Sequence, residues 1–520
     1  MFGWFSRKSV SKLPSTLQAA LETHSYPDVA TELRSWRSKN DIAEDENKLL
    51  KAAKSCGWDD GSCRKISIFL RFYRNDYSGA FLLSKDLINP GQRFDADVFV
   101  LCINILHQNN QFEDAARLIG TISAETPLLC ERGDYWTSRA SVCWSVNDMP
   151  GVDEAIGRAL ILEPDNRNTL EISLPMYWEL GCLDKFEASR SHLAALGLAS
   201  SYPYSLCLLA SGDYLAGFEA MEARYELDEA HRYLNQALLN LPRWNGVEDV
   251  DVGILVSSEQ GFGDGIQMAR YFHQLNLLTD KPVAVEVQPE VLSLFEHNFP
   301  TIRFVVRERG QRPAVDFDRW IGMMSLPWIF KTRLDNVPLC SGYLTVPEDS
   351  CDYWRERVAG LARAGKKRIG LAWSGQPAHR ADRRRSIPFV KIVDSIRVCD
   401  ADFFALQTVV PENLPANIFN VSEELLTLAD TAGLIQQMDL VVAVDTSVVH
   451  IAGALGKPTL LLLPFRYEWR WGVEGESNPW YESVRVLRQL QAGDWDEMLM
   501  KVFRNEIPCL DERAVYGNAR

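Results

Sequence analysis

The chain has 520 residues, 46% hydrophobic and 24% charged, and this ordinary globular composition supplies apolar material for two or three domains. Its net charge of -15 argues against a general binder of nucleic acids or anionic membranes, because such binding requires surplus Lys and Arg. The 11 cysteines form no C-x-x-C pair, so neither a zinc site nor a disulfide framework is predicted. No apolar run approaches the roughly 20 residues of a membrane span, and the N-terminus lacks a signal-peptide pattern, so we expect a cytoplasmic protein.

From about residue 14 to residue 240, apolar residues recur at helical spacing and β-branched runs are almost absent. A polar or glycine turn precedes a large residue five times, at intervals of 31 to 40 residues: Tyr77, Phe112, Val152, Leu183 and Tyr214. In the first three fragments a small residue follows three positions later: Ala80, Ala115 and Ala155. These intervals scatter around the roughly 34-residue tetratricopeptide unit, in which a small residue lets paired helices approach. We predict a short helical solenoid, whose groove usually binds a polypeptide, with an irregular helical bundle as the alternative.

After a Pro- and Gly-marked junction at 241–246, the pattern changes to apolar β-rich runs that alternate with helical segments. Seven runs are predicted strands: VGILVS, VAVEVQ, RFVV, RIGLAW, DFFALQ, DLVVAV and TLLLLP. Continuous apolar runs are typical of buried parallel strands, so we expect doubly wound α/β lobes. The predicted domains are a helical domain over 1–240, a first lobe over 241–365 and a second lobe over 366–520, with a C-terminal helix crossing back to the first lobe as an option.

One βαβ unit is predicted in DLVVAVDTSVVHIAGALGKPTLLLL, residues 439–463. Asp445 and Thr446 fall at the carboxyl end of a strand and the amino end of a helix, where ligands of open α/β sheets bind and free N–H groups attract phosphate. His450 lies four residues beyond Thr446, on the same helix face. Taken alone, the same residues also fit a helix cap followed by a satisfied histidine.

A second strand-to-helix turn, VGILVSSEQGFGDGIQMARYF, contains Gly261, Gly263 and Gly265 around Asp264. Glycines let a ligand approach backbone N–H groups, and a carboxylate at this position can cap the helix or accept a proton. A dinucleotide-binding turn is the alternative, with Glu286 as the acid that binds a ribose. The G-x-G-x-G spacing, however, lacks the third glycine of that fingerprint.

Two further segments carry side chains suited to a ligand. Four arginines follow a predicted strand in WSGQPAHRADRRRS, and they fit either a cradle for phosphate or carboxylate or a solvated basic loop. The segment PFRYEWRWGVEGESNPWYESVRVLRQ is dense in tryptophan, with arginines between the rings. These aromatic residues fit either stacking on a base or sugar, or packing at a seam between the lobes.

Taken in order, EQGFGDGIQMARY, GLAWSGQPAHRADRRRS, LQ, DTSVVHIAGALGKP and LLPFRYEWRW with SNPWYESVRVLRQ resemble the bacterial family of tetratricopeptide-repeat glycosyltransferases. The catalytic half of that family is similar to heptosyltransferases and has the two-lobed GT-B fold. The resemblance covers about residues 208 to 505. It implies a nucleotide-sugar donor held mainly by the second lobe and an acceptor activated from the first.

The resemblance also implies roles for individual residues. Asp264 matches the general base of an inverting displacement. The donor-binding set is Gly261, Gly263, Trp373, Arg383, Arg384, Arg385, Gln407, Asp445, Thr446, Ser447 and His450. The acceptor-side set is Glu259, Gln267, Trp469 and Arg470. Because the arginines match the position that neutralises the leaving diphosphate, no metal and no other cofactor is expected.

The acceptor implied by the repeats is a polypeptide, modified on Ser or Thr as flagellin is, by transfer of a hexosyl, heptosyl or nonulosonic-acid unit. A homodimer is a further expectation. Three alternatives remain open. They are transfer to a lipopolysaccharide intermediate, supported by a basic stretch over 303–312; a repeat scaffold that binds nucleotide without turnover; and a dehydrogenase.

Overall fold

The computed structural model describes residues 13–36, 42–74, 76–84, 95–109, 111–121, 127–198, 202–226, 234–235, 237–247, 250–277, 279–308, 310–376, 382–465, 468–491 and 493–507. The chain divides into two compact units, one from Met1 to Thr169 and the other from Leu170 to Arg520. Each unit is described by itself below.

The described part of the first unit is helical. Its helices are α1 (Ser15–Glu22), α2 (Tyr26–Ser35), α3 (Ile42–Ser55), α4 (Asp60–Tyr73), α5 (Tyr77–Ser84), α6 (Ala96–Gln108), α7 (Phe112–Gly120), α8 (Pro127–Cys130), α9 (Gly133–Ser145) and α10 (Met149–Leu162), and α11 (Arg167–Leu180) begins in it. Consecutive helices pack on each other, as in the pairs α4 with α5, α6 with α7 and α9 with α10.

The polar turns predicted from the sequence precede these helices. Tyr77 and Phe112 are the first residues of α5 and α7, and Val152 lies in the first turn of α10, where the carboxylate of Asp148 caps the helix. The three small residues at the repeat positions are fully buried, namely Ala80, Ala115 and Ala155. They therefore lie where a larger side chain would hold neighbouring helices apart.

The second unit combines helices with two parallel sheets. Its further helices are α12 (Leu183–Ala195), α13 (Tyr202–Ala210), α14 (Tyr214–Met221), α15 (Phe262–Met268), α16 (Pro289–Asn298), α17 (Leu326–Ile329), α18 (Glu348–Leu361), α19 (Asp382–Arg385), α20 (Phe389–Ile396), α21 (Leu428–Gln436), α22 (Ser447–Ala454) and α23 (Asp496–Met500). Short 3-10 helices cover Glu222–Glu226, Ala269–Leu277, Met323–Ser325, Ser422–Glu424 and Trp469–Trp471, and a π-helix covers Lys501–Glu506. The strands are β1 (Ile254–Ser257), β2 (Val283–Val287), β3 (Arg303–Val306), β4 (Arg319–Gly322), β5 (Lys367–Ala372), β6 (Ala401–Ala405), β7 (Ile418–Phe419), β8 (Leu440–Val444), β9 (Thr459–Leu463) and β10 (Val484–Arg488).

All strand pairs in the two sheets are parallel. The first sheet has the order β3-β2-β1-β4, and the second has the order β10-β9-β8-β5-β6-β7. All seven predicted strands are present. Three others were missed because β4 begins with an arginine, β7 has only two residues, and charged residues interrupt β10. The predicted mixture of helices and parallel sheets is confirmed.

The stretch between the two sheets contains α18, which packs on α21 beside the second sheet. At the C-terminus, apolar side chains of α23 and the π-helix, up to Ile507, join the core under the second sheet. Residues 508–520 lie outside the described residues. The expected C-terminal helix that crosses back to the first lobe would include this stretch, so it stays a prediction. Within the described ranges, no helix has both the length and the apolar character needed to cross a bilayer.

Candidate functional site

Asp264 lies in the first turn of α15, at the carboxyl end of β1, where the sequence placed it. Its Oδ2 accepts a hydrogen bond from the N–H of Gly261 at 2.8 Å, so the carboxylate closes the turn that carries it. Its Oδ1 accepts a hydrogen bond from Nη2 of Arg470, which follows β9 of the second sheet. The Asp264 side chain remains 16% exposed. The candidate base is therefore fixed by its own loop and by a cation from the segment after β9.

Arg470 is the centre of a cluster of charged side chains that includes Asp264 and Glu468. Its side chain is 8% exposed, and each of its three nitrogens donates a hydrogen bond to a different side chain. Nε donates to Oε1 of Gln267 at 2.6 Å, Nη1 to Oε1 of Glu468, and Nη2 to Asp264. The guanidinium also lies 4.4 Å from the ring centroid of Trp469. Although burial opposes its charge, the two carboxylates hold the pKa of Arg470 above its ordinary value.

Two further carboxyl groups lie close to this arginine. Burial raises the pKa of Glu468 to about 7, against the attraction of Arg470 and with the help of repulsion from Asp445. Burial also raises the pKa of Asp445, which Arg385 and Arg470 oppose. Asp445 and Glu468 thus lie near Arg470, which also binds Asp264. Buried acids with raised pKa values, as Asp445 and Glu468 have, are typical of functional sites.

The loop from β8 to α22 has the geometry expected of an anion-binding turn. Thr446 is the N-cap residue of α22, but its side chain does not cap the helix. Its Oγ1 is buried and has no hydrogen-bond partner among the described residues. Nη1 of Arg385 donates to the carbonyl of Asp445 at 2.8 Å, so this arginine reaches the same loop. Ser447 opens the helix and is partly exposed beside them.

His450 lies on the buried side of α22. Its Nδ1 is 3.0 Å from the hydroxyl of Tyr481, its ring packs on Trp471, and burial holds its pKa well below the ordinary value. A Cβ added to Gly263 would lie 2.6 Å from Cδ2 of this ring. The absence of a side chain at Gly263 therefore lets α15 and α22, one from each lobe, approach closely. The structure places His450 behind the anion-binding turn, at this helix contact.

The three predicted arginines do not lie together. Arg385 reaches the Asp445 loop, whereas Nη1 of Arg384 donates to both carboxylate oxygens of Glu179 at 2.8 and 2.9 Å. The side chain of Arg383 lies outside the described residues, as do residues 377–381. Of the cluster, only Arg385 is shown beside the other site residues.

Trp373 and Gln407 support the edge of the second sheet. Trp373 is 4% exposed and packs against Phe389 in the core. Oε1 of Gln407 accepts hydrogen bonds from the N–H groups of Trp373 and Ser374, and its Nε2 donates to the carbonyl of Val409. The amide of Gln407 therefore joins the ends of β5 and β6.

Glu259 and Glu286 are buried in separate polar networks of the first lobe. Glu259 is 3% exposed and accepts two hydrogen bonds from Arg224, at 2.8 and 2.9 Å, and one from the N–H of Met324. Glu286 is fully buried and accepts from Ser257 and Asn235. The acceptor-side role of Glu259 stays a prediction, and Glu286 offers no exposed oxygen to a ribose.

The aromatic segment packs at a seam within the second unit. Trp469 and Trp480 are 4% and 0% exposed, and they contact Tyr214 and Phe218 of α14. These rings therefore pack on α14, and the interpretation that the segment stacks on a base or sugar stays a prediction. Gln267 is also fully buried, and its Nε2 has no hydrogen-bond partner among the described residues, whereas its Oε1 binds Arg470.

Three residues near the cluster were not predicted as site residues. Glu468 and Arg470 form an E-x-R pattern inside the aromatic run, which is the only sequence signal for Glu468. Arg270 is fully buried and donates to the carbonyl of Trp480 at 2.9 Å. Tyr202, at the start of α13, interacts electrostatically with Arg470, and burial raises its pKa to about 12. A buried cation and a distant tyrosine give no local sequence pattern.

A metal centre was not expected from the sequence. Among the described residues, no three His, Cys, Asp or Glu side chains are grouped as metal ligands. The expectation of a metal-independent reaction stays a prediction.

The comparison with known families identifies part of this site. Residues 409–494 match the family Glycosyltransferase family 9 (heptosyltransferase). The resemblance recognised from the motifs is confirmed for this segment, which includes Asp445, Thr446, His450, Glu468 and Arg470. The match supports a glycosyltransferase that uses a nucleotide sugar.

Three individual proteins are similar to the chain. Protein FlbA of Caulobacter vibrioides is 24% identical over 430 residues, which are 76% of this chain and 70% of that protein. A family 9 glycosyl transferase of Veillonella parvula is 12% identical, with 52% of this chain and 96% of that chain covered and a TM-score of 0.34. The ADP-heptose lps heptosyltransferase II of E. coli is 14% identical, with 50% and 98% covered and a TM-score of 0.34.

Proposed function

We propose that the chain is an inverting GT-B glycosyltransferase that moves a sugar from a nucleotide sugar to a hydroxyl group of a protein. The observation that carries the proposal is the convergence of Asp264, from the first lobe, with Arg470, Asp445 and Arg385, from the second. The turn after β1 thus contributes a carboxylate, and the loop after β8 contributes N–H groups suited to an anion. The proposed transfer uses the carboxylate as the base and the loop to hold the diphosphate.

The proposed reaction begins with the acceptor hydroxyl against Asp264. The hydroxyl proton passes to the Asp264 carboxylate while the acceptor oxygen bonds to the anomeric carbon. The bond from that carbon to the diphosphate oxygen breaks, and its electron pair leaves with the diphosphate. Arg385 and the N–H groups at the start of α22 balance the charge that develops on the leaving group. Attack from the face opposite the diphosphate inverts the anomeric carbon.

A polypeptide acceptor, modified on Ser or Thr as in flagellin, is the second part of the proposal. The helical first unit supports it, because stacked helix pairs commonly form grooves for extended chains. The domain limits 1–240, 241–365 and 366–520, the cytoplasmic location and the homodimer belong to the same proposal. A metal-independent mechanism does as well.

A glycan acceptor is the second candidate, because the family that matches residues 409–494 is described as heptosyltransferase. The basic stretch 303–312 would have to face a lipid-linked substrate, but two of its arginines contact residues of their own domain. Nε of Arg307 lies 3.8 Å from the buried Glu286, and the guanidinium of Arg312 lies over Phe317. These contacts favour the protein acceptor.

The test is a donor screen followed by a transfer assay. The full chain is titrated with UDP-, ADP-, GDP- and CMP-sugars and with NAD, and binding is measured by thermal shift. The stabilising donor is then incubated with flagellin and, separately, with a lipid-linked glycan, and intact mass identifies the modified product. Stabilisation by NAD alone contradicts the proposal, and binding without turnover on either acceptor favours the scaffold.

A further inference from the structure

The guanidinium of Arg470 is shared by two carboxylates. Nη2 donates to Oδ1 of Asp264, from the first lobe, and Nη1 donates to Oε1 of Glu468, two residues before Arg470. Nε is bound to the neutral amide of Gln267. One positive charge therefore serves two acids on opposite sides of the cleft. Because the arginine side chain is only 8% exposed, water screens its attraction for the two carboxylates less than it would at the surface.

Among the described residues, the other charged and titratable groups that interact with Glu468 are not cations. Those that interact with it are Asp445 at the end of β8, Tyr202 of α13 and Tyr214 of α14. Asp445 itself interacts with Arg385, Arg470 and Asp264. Glu468 is the more accessible of the two acids on Arg470, with 35% of its side chain exposed against 16% for Asp264. It is therefore the acid that solvent protons reach more readily.

We propose that Glu468 is a positioning residue that controls Asp264 by competing with it for the charge of Arg470. When Glu468 is neutral, Arg470 acts almost wholly on Asp264 and stabilises its ionised form. When Glu468 is ionised, the arginine is shared, and Asp264 takes the acceptor proton more readily. The expected effect on rate rests on the proposed transfer reaction. The sharing of Arg470 by two carboxylates does not depend on that reaction.

The pH at which this control operates follows from the surroundings of Glu468. Burial raises its pKa to about 7 from an ordinary value of 4.5. Glu468 is therefore mostly neutral below this pH and ionised above it, so the rate of transfer is expected to rise as the pH passes through about 7. A group of this pKa is well placed to act near neutral pH.

The first experiment compares pH profiles of kcat/KM for the wild type, Glu468→Gln and Glu468→Asp. Gln resembles the neutral acid at every pH, so the deficit of Glu468→Gln should be about tenfold at about pH 8 and should shrink to within about twofold at about pH 6. Asp should restore a rise with pH. A deficit of equal size at every pH would assign Glu468 a purely structural role and overturn the proposal. Glu474→Gln, at an exposed position of the same segment, is the matched control.

The second experiment needs no enzymatic activity. Because the folded state raises the pKa of Glu468, ionisation costs the folded state stability, and the Tm of Glu468→Gln relative to wild type should climb from about pH 4.5 to about pH 7 and then stay constant. In the background of Asp264→Asn, Arg470 serves Glu468 alone. The pH at which the Tm difference between Glu468→Gln and its parent stops rising should then be about one unit lower. Asp280→Asn, at an exposed loop position, is the control background and should leave that pH unchanged.

These outcomes separate the inference from the proposed function. If the wild type transfers no sugar but the climb moves in Asp264→Asn, the proposed function fails and the shared charge stands. If the wild type transfers sugar but the climb is the same in both backgrounds, the shared charge is refuted. An unchanged climb is decisive because two acids that compete for one cation must shift each other's titration.

Discussion

At the scale of single residues, the described part of the candidate site brings three acids close to two arginines. Asp264, Asp445 and Glu468 face Arg470 and Arg385, and burial shifts the titration of Asp445 and Glu468 upward. Four of these five residues were predicted from their places at strand ends or in the aromatic run and from the family resemblance. Glu468 was missed, because a glutamate two residues before an arginine is common on protein surfaces, and here its partner Arg470 is buried.

The first prediction at this scale concerns Asp264→Asn. The amide keeps the size of the side chain but does not accept a proton, so kcat should fall at least about 100-fold. Binding of the nucleoside diphosphate should change by less than about threefold, because the donor loop lies on the other lobe. Transfer kinetics and calorimetric titration measure the two quantities. Full turnover by Asp264→Asn would exclude it as the base.

The second prediction concerns Arg385→Ala. The substitution removes the hydrogen bond to the carbonyl of Asp445 and a positive charge beside the anion-binding turn. The Kd of the nucleoside diphosphate should rise about tenfold or more. Arg397→Ala, whose side chain is 72% exposed beside Asp394, is the control. Equal affinities of both variants would remove Arg385 from the donor site.

At the scale of elements, the contact between α15 and α22 depends on a glycine. Both helices were predicted from turn residues after buried strands, and both begin where expected. Their mutual approach was not predicted, since it depends on which helix faces meet across the cleft. Gly263 was expected to give a ligand access to the backbone, and the structure shows the ring of His450 beside it.

Two glycines of α15 provide a matched pair for testing this contact. Gly263→Ala should lower stability by about 1 to 3 kcal/mol, because its Cβ meets a ring held by Tyr481 and Trp471. Gly265→Ala has no atom within 4 Å of the added Cβ and should be neutral or stabilising by up to about 1 kcal/mol. Denaturant unfolding of both variants measures the difference. Equal losses would mean that the added methyl group at Gly263 meets no steric barrier.

At the scale of the whole molecule, Arg270 is a buried link between the lobes. Its Nη1 donates to the carbonyls of Trp480 and Pro338, its Nε donates to the carbonyl of Gln267, and its guanidinium lies 4.8 Å from the ring of Tyr481. This cation is held by carbonyl groups and aromatic rings. Its location on a first-lobe helix makes it part of the junction with the second lobe.

Replacement of this link should loosen the junction. Arg270→Met keeps much of the volume but leaves the carbonyl groups without their donor, so we expect a loss of about 2 to 4 kcal/mol. The measurement is chemical unfolding, with protease sensitivity of the cleft as a second readout. Arg355→Ala, with a 61% exposed side chain, is the control and should change stability by less than about 0.5 kcal/mol. A loss no larger than the control's would show that the junction does not need Arg270.

The helical first part, seven parallel strands and the turns that carry Asp264 and Asp445 were predictable from the sequence. These features depend on apolar periodicity and turn chemistry, which act between neighbours in the chain. The partners of the long charged side chains were not predictable: Arg385 reaches the Asp445 loop while Arg384 binds Glu179, and Arg470 binds two acids. Long side chains choose partners by distance and burial across the fold. Residues more than 200 positions apart become neighbours, as Asp264 and Arg470 do at 206 positions.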